Sequence, residues 1–304
     1  MLSKPFYSNG KLLLTAEYLI LDGAKGLALP TKFGQDLIVE KIDFPMLIWE
    51  SFDENNKSWF SNKFRLPDLT MESPDEDDQV SITLQRILKE AQNLNPEFLT
   101  KKIGFQVKTK LSFQRKWGLG TSSSLINNIA QWAKVNAFEL LNKSFGGSGY
   151  DIACAQNNNP IVYQLLKKVP IIESVTFDPN FKDHLYFIYL NKKQNSKDSI
   201  DHYLKIKGNN SNVLEEISQI TNNILKCSSI VEFEKLIAEH ETIIGSVIQQ
   251  KKIKQLLFSD YFGQIKSLGA WGGDFILATG NEDTPKYFKN KGFETVIRYE
   301  DMIL

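Results

Sequence analysis

The chain has 304 residues, 36 basic and 36 acidic side chains, a formal net charge of zero and 42% hydrophobic content. This is enough to bury a large core, and the length suits two lobes of roughly 100 to 200 residues each. Neutrality argues against a nucleic-acid binder, whose first need is a basic surface that displaces counterions from phosphates.

In chain order, Lys4, Lys11 and Glu17 interrupt any signal-peptide core, and no later run approaches the roughly 18 apolar residues of a membrane span. The first strand is expected near Lys11 to Leu14. Asp36 to Glu40 and Met46 to Trp49 read as antiparallel strands before the turn Asp53-Glu54-Asn55-Asn56, with Ser58-Trp59-Phe60 returning. The acidic stretch Glu72 to Asp78 reads as a solvated loop that caps the next helix, because acids favour the positive end of a helix dipole. Leu84, Ile87, Leu88 and Ala91 then form a helical stripe, and Ile103, Phe105 and Val107 alternate as in a half-buried strand.

Leu125, Ile129, Trp132 and Ala133 recur at helical spacing behind Gly118-Leu119-Gly120-Thr121-Ser122-Ser123-Ser124, a glycine loop running into a helix N-terminus. Asn136 ends that helix, Ala137 to Phe145 forms a short one, and Gly146-Gly147-Ser148-Gly149 turns into Tyr150 to Cys154. From about residue 170 a new unit begins. It holds a strand at Leu185 to Leu190, helices over Val213 to Leu225 and Ile230 to Ile248, a buried strand at Phe275 to Ala278, and a last helix and strand over Tyr287 to Val296. Cys154 and Cys227 build neither a disulfide framework nor a C-x-x-C pair, which points to a reducing cytoplasm. His184, His202 and His240 lack metal-ligand spacing and are expected at the surface or half-buried, with no role.

A glycine loop opening a helix offers unpaired N–H groups and a positive dipole end, both suited to a phosphate; an ordinary turn with Thr121 as helix cap is the plainer alternative. The Walker pattern is absent, because Gly10-Lys11 has no glycine at the required earlier position and Leu12 replaces the hydroxyl. The kinase signatures H-R-D and D-F-G are missing. Ser123 stands where a Rossmann loop needs glycine, and Tyr150 breaks the nucleophile elbow after Gly146-Gly147-Ser148-Gly149.

Three segments together resemble the GHMP kinase superfamily, which phosphorylates small molecules with ATP. Gly10-Lys11 through Glu17-Tyr18 to Leu21 is similar to its first motif. Lys116 to Ser123 is similar to the second, the ATP-phosphate loop, and Ser267 to Asp274 to the glycine-rich third; their order is the family's. Within the superfamily the chain most resembles the bacterial phosphomevalonate kinases, in Glu17-Tyr18, in Lys116 two residues before the loop, in Asp151-Ile152-Ala153-Cys154 and in Gly272-Gly273-Asp274. Four departures stand out. Ser8-Asn9 replaces the usual Ala-Pro, Ala16 replaces glycine, and Trp271 occupies a glycine position where its indole is expected to narrow the pocket. Only 28 residues lie between Ser122 and Asp151, so the acid that often binds Mg²⁺ on an insert there has no counterpart; Glu139 is the nearest and reads as a solvated helix residue.

The resemblance implies an α+β, two-lobed GHMP-kinase fold. An ATP-binding domain over 1–168 would hold a mixed sheet with helices, and a ferredoxin-like α/β lobe would span 169–304. It implies ATP and Mg²⁺ as cofactors, phosphomevalonate or mevalonate as acceptor, no nucleic-acid or membrane partner, and it admits a homodimer. Asp151 and Lys11 would be catalytic, the acid orienting or deprotonating the attacking oxygen beside the ammonium. Lys116, Gly118, Leu119, Gly120, Thr121, Ser122 and Ser123 would bind nucleotide, with Ser122 on the metal. Glu17, Tyr18, Ser148, Gly149, Gly269, Ala270, Gly272 and Gly273 would bind substrate, and Lys116 with Arg115 would meet an acceptor phosphate. Two alternatives remain: a non-catalytic nucleotide- or metabolite-binding protein, against which the presence of both Lys11 and Asp151 counts, and a GHMP-related decarboxylase, which usually carries a serine-rich loop.

Overall fold

The computed structural model describes residues 5–72, 78–100, 103–194, 196–208 and 211–304. The chain divides into two compact units, each drawn from separate stretches of sequence: Met1–Gly10, Phe33–Arg115 and Gly120–Gln156 form the first, and Lys11–Lys32, Lys116–Leu119 and Asn157–Leu304 the second. Strand β1 (Phe6–Leu13) pairs with β2 (Gly26–Ile42), and the 17 residues of β2 feed both units.

In the first unit, Gln35 to Ile42 of β2 pairs antiparallel with β6 (Gly104–Leu111). Next to β6 come β3 (Met46–Phe52), β4 (Ser58–Arg65) and the short β5 (Thr70–Met71), and the parallel β3–β6 pair makes this sheet mixed. Helices α1 (Gln79–Leu94), α2 (Thr121–Ala133), α3 (Ala137–Ser144) and α4 (Tyr150–Gln156) supply the apolar cover. One core joins Leu37, Trp49, Phe64 and Val107 of the strands to Ile87, Leu88, Ile126 and Ile129 of the helices. Residues 73–77 of the acidic stretch lie outside the described residues, but Asp78 caps α1 by accepting the N–H groups of Val80 and Ser81. Asn136 does more than end α2: its side chain caps α3.

In the second unit, Gly26 to Ala28 of β2 pairs with β7 (Ile161–Leu166), and β7 forms a hairpin with β8 (Val169–Ser174). The boundary expected at 168/169 falls inside this hairpin. Its turn residues Lys167 and Lys168 both take positive φ, 50° and 66°, a geometry usually marked by Asn-Gly, so this sequence gives no turn signal. Beyond it, β9 (Leu185–Tyr189) leads through α5 (Ser196–Ile206), α6 (Ser211–Lys226), α7 (Ile230–Val247) and α8 (Ile253–Leu257) to β10 (Ile265–Ser267) and β11 (Phe275–Thr279). Then α9 (Thr284–Asn290), β12 (Val296–Arg298) and α10 (Tyr299–Met302) close the chain. The antiparallel sheet runs β10-β11-β9-β12, so the strands lie in the order second, third, first, fourth; together with the β-α-β-β-α-β succession this is the expected ferredoxin-like lobe. Every residue of β9 and β11 is buried, because helices and aromatic side chains cover both faces. Among the described residues no helix is long and apolar enough to cross a membrane.

Candidate active site

The glycine loop is anchored before it reaches its helix. Trp117 packs edge-on against Phe275 at the start of β11, with ring centroids 5.5 Å apart. Leu119 is fully buried, and its carbonyl accepts the Lys11 backbone N–H at 3.0 Å, which ties the first sequence motif to the second. Gly118 takes φ +69°, and a Cβ there would lie 2.4 Å from Cγ of Asp274, so only glycine fits.

Gly120, at φ +92°, is the N-cap of α2, and no side chain caps this helix. Thr121 is therefore the first helical residue and not the cap. The first-turn N–H groups and the positive dipole end are left for an anion, with Ser122 exposed and Thr121 and Ser123 half-buried.

Asp151 lies in the first turn of α4, after left-handed Gly149, with Ser148 buried in the preceding turn. A polar chain, buried beyond exposed Gln156, joins that helix to α2. Gln156 donates to Asn127 at 2.9 Å, Asn127 to Ser8 at 2.8 Å, and Ser8 to Asn128 at 2.7 Å. Asn128 and Ser124 then reach Gln35 of β2, at 2.8 and 2.7 Å. The chain fixes the helix of Asp151 against the helix that the loop opens. It also gives Ser8 a definite task. The periodicity pointed to Leu125, Ile129, Trp132 and Ala133, yet Leu125 and Trp132 are only half-buried, because α2 also buries this polar stripe.

Glu17 and Tyr18 hold the interior of the second unit. Glu17 is buried and accepts a hydrogen bond from the Lys266 ammonium, which also donates to the Ser267 carbonyl at 2.9 Å. Glu241 of α7 stands 3.7 Å from that ammonium and accepts the Ser267 N–H at 3.0 Å. Burial pushes the Glu17 carboxyl up while Lys266 pulls it back; burial raises Glu241 to about 7, with Lys266 opposing and the charge of Glu17 adding to the rise. His240, expected at the surface or half-buried, is fully buried instead. Desolvation holds it well below 6.5, and its neutral Nε2 accepts the Ala16 N–H at 2.9 Å. The 3.3 Å approach of that nitrogen to Glu17 is thus no ion pair. Ala16 takes a left-handed backbone, φ 70°, a region that favours glycine.

The Tyr18 hydroxyl accepts the Trp271 N–H at 3.2 Å, joining first and third motifs. The Trp271 indole is buried and turned toward Gly245 of α7, 3.4 Å from where a Cβ would stand there, so its bulk fills the interior of the lobe. In the same loop, Gly269 and Gly272 are left-handed, Ala270 is buried, and Gly273 has the Lys192 carbonyl 2.8 Å from its Cβ position. Lys116 is exposed, whereas Arg115 has its guanidinium 3.5 Å over the Trp59 ring and is already engaged. Glu139 is exposed on α3. Asp274, which sequence reasoning left without a role, has its carboxyl pushed up by burial and pulled back by the Gln194 N–H and by Lys11.

The residues fit a nucleotide phosphate at the uncapped start of α2. Among the described residues no group of three or more His, Cys, Asp or Glu side chains could hold a metal by itself. A cation here would follow the usual Mg²⁺ pattern, with phosphate oxygens and one or two side chains as ligands.

No family model matches the sequence, and no curated protein does. Solved structures match across nearly the whole chain. Mevalonate kinase of Methanococcus jannaschii is 15% identical with TM-score 0.69, covering 96% of each chain. Streptococcus pneumoniae phosphomevalonate kinase, in complex with phosphomevalonate and AMPPNP, is 16% identical with TM-score 0.66, covering 97% of this chain and 99% of that one. Lactococcus lactis galactokinase, complexed with galactose, is 12% identical with TM-score 0.67, covering 94% and 88%. The chain has the GHMP kinase fold, α+β with a mixed sheet and helices.

Proposed function

We propose that the chain is an ATP-dependent kinase of the GHMP type that phosphorylates phosphomevalonate. The observation that carries this reading is the uncapped, glycine-led start of α2, tied through Asn127 and Gln156 to the helix bearing Asp151. Phosphoryl transfer asks for positioning and charge neutralisation, because the transferred group is already anionic and its transition state spreads charge over the equatorial oxygens. In this reading the N–H groups from Gly118 to Ser123 cradle the nucleotide phosphates. Ser122 offers its hydroxyl to Mg²⁺, which when bound neutralises charge on those phosphates. Asp151 orients the acceptor hydroxyl or takes its proton, and Lys11 stabilises negative charge on the attacking oxygen or the γ-phosphate.

Glu17 and Tyr18 act through the loops they hold, since both are buried and bonded within the lobe. Lys116 is the cation proposed for the phosphate of the acceptor. Support for the acceptor comes from the motif details shared with phosphomevalonate kinases, and from the matching fold of one that holds phosphomevalonate and AMPPNP. Mevalonate kinases share the fold to the same degree, so mevalonate is the alternative acceptor. The test offers purified protein ATP and Mg²⁺ with mevalonate, phosphomevalonate, homoserine, galactose and a heptose phosphate in turn. Turnover of phosphomevalonate above the rest is the expected result. Turnover of mevalonate alone replaces the acceptor, and ATP binding without turnover of any acceptor replaces the kinase with a binding protein.

A further inference from the structure

Within the second unit, α8 and the turn that precedes it stand beside the third glycine segment and enclose a cavity of about 260 Å³. Its apolar wall is Ile253 and Leu256 of α8 with the ring of Trp271, and Ser267 at the end of β10 adds to it. Lys251 of the turn completes the lining and is exposed to solvent. Of the residues that line the cavity, the kinase reading uses Gly272 alone.

One donor in this lining has no acceptor. Trp271 is 2% exposed, and its Nε1–H is buried without a hydrogen-bond partner among the described residues. The far edge of its six-membered ring, Cη2 and Cζ3, stands 3.4 and 3.5 Å from where a Cβ would lie on Gly245, so the N–H, at the other end of the indole, is turned away from that contact. A buried N–H left unpaired is costly, and nearly all such groups in folded proteins find a partner. Ser267 is already engaged, with its N–H and hydroxyl on Glu241 and its carbonyl on the Lys266 ammonium. Water suits the place poorly, because an ordered water needs several polar partners and this wall is two aliphatic side chains and an indole. A ligand with an apolar body and a hydrogen-bond acceptor satisfies both the wall and the donor. The volume exceeds the roughly 150 Å³ that takes up a benzene molecule, which sets the body at one ring or a short branched chain. The Lys251 ammonium has no ion-pair or hydrogen-bond partner among the described residues, and it selects an anionic acceptor. We propose that this cavity binds a small apolar carboxylate, with its body on Ile253, Leu256 and Trp271 and its oxygens on Trp271 Nε1–H and Lys251. The site is additional to those for nucleotide and phosphoryl acceptor, and it does not depend on the identity of either.

The probe is para-fluorophenylacetate, titrated into full-length protein whose tryptophans carry a nitrogen label. Of the five indole N–H resonances, the one missing from Trp271→Phe belongs to Trp271. It should shift downfield and saturate, with a Kd of about 1 mM or tighter. The matching amide, which lacks the charge, and acetate, which lacks the body, should each bind at least about tenfold more weakly, the scale of one lost charge-assisted contact or one unburied ring. Lys251→Gln changes an exposed side chain and should weaken the probe by a similar factor. Saturating ATP, mevalonate or phosphomevalonate should leave the shift in place. If Trp271→Phe does not fold, fluorine line broadening of the probe with wild type and Lys251→Gln reads the same affinities. A Trp271 resonance that stays still at about 10 mM probe, or equal binding of acid and amide, overturns the proposal. Displacement of the probe by mevalonate or phosphomevalonate also overturns it, since the cavity would then be part of the acceptor site.

Discussion

Lys266 donates its ammonium to Glu17 where both side chains are wholly buried, so residue 17 of the first motif and the strand leading into the third are joined by a buried ion pair. Glu241 shares the same ammonium from 3.7 Å, and its other partner is Ser267. Burial is what mainly makes Glu241 hold its proton, with Lys266 opposing and the charge of Glu17 adding to the rise.

Removing the cation alone exposes that arrangement. Lys266→Met leaves buried Glu17 without its cation, with Glu241 keeping only Ser267, and should cost about 3–5 kcal/mol, the usual penalty for breaking a buried pair from one side. Urea unfolding of wild type and variant reads this directly. A loss under about 1 kcal/mol would mean that the pair contributes no more than a surface one.

The raised Glu241 carboxyl sets a pH dependence with a definite sign. The folded state keeps this proton to about pH 7 while the unfolded chain releases it near 4.5, so the contribution is complete below 4.5 and is lost as pH rises through 7. The loss is on the order of 3 kcal/mol at most. Thermal melts from pH 5 to 8 should show wild type weakening relative to Glu241→Gln, whose glutamine does not titrate. Parallel curves would show that Glu241 does not change charge in this range.

At the loop, Gly120→Val puts a β-branched side chain on a residue at φ +92°, and Ser122→Ala removes the exposed hydroxyl. Both should weaken Mg²⁺-ATP, the first by strain and blocked approach, the second through the metal alone. Calorimetry in which both variants match wild type would take this loop out of the binding site.

Lys116 is the exposed cation beside the loop, whereas Arg115 lies over Trp59. Lys116→Ala should raise the acceptor KM roughly tenfold to a hundredfold, the scale of a lost charge-assisted contact, and leave the ATP KM much less changed. Steady-state kinetics with each substrate varied separates the two, and an effect confined to ATP would move Lys116 to the nucleotide.

Much of the fold was legible because hydrophobic period and caps agreed: Leu84, Ile87, Leu88 and Ala91 all reached the core, and Asp78 and Asn136 started their helices. The β7–β8 hairpin was missed because two lysines make its left-handed turn without a glycine or asparagine. The order of the three glycine segments was readable, and so was the loop into α2. The buried polar groups were not. Ser124, Asn127 and Asn128 look like a solvent face by residue type, and the spacing of Glu17, His240, Glu241 and Lys266 along the chain says nothing of their meeting in one lobe. Asp274 was written in the third motif, but only its contact with Gly118 shows why it bears on the loop.

The most direct measurement is phosphorus NMR of ATP, Mg²⁺ and phosphomevalonate with wild type and with Asp151→Asn, alongside calorimetric ATP affinity. Wild type should transfer the γ-phosphate to the acceptor with one ADP per product. Asp151→Asn should bind ATP normally and lose about 100- to 10,000-fold in rate, the range for a group that moves a proton in the transition state. Transfer by Asp151→Asn at close to the wild-type rate, or no transfer by wild type to any acceptor of the panel, would contradict the account.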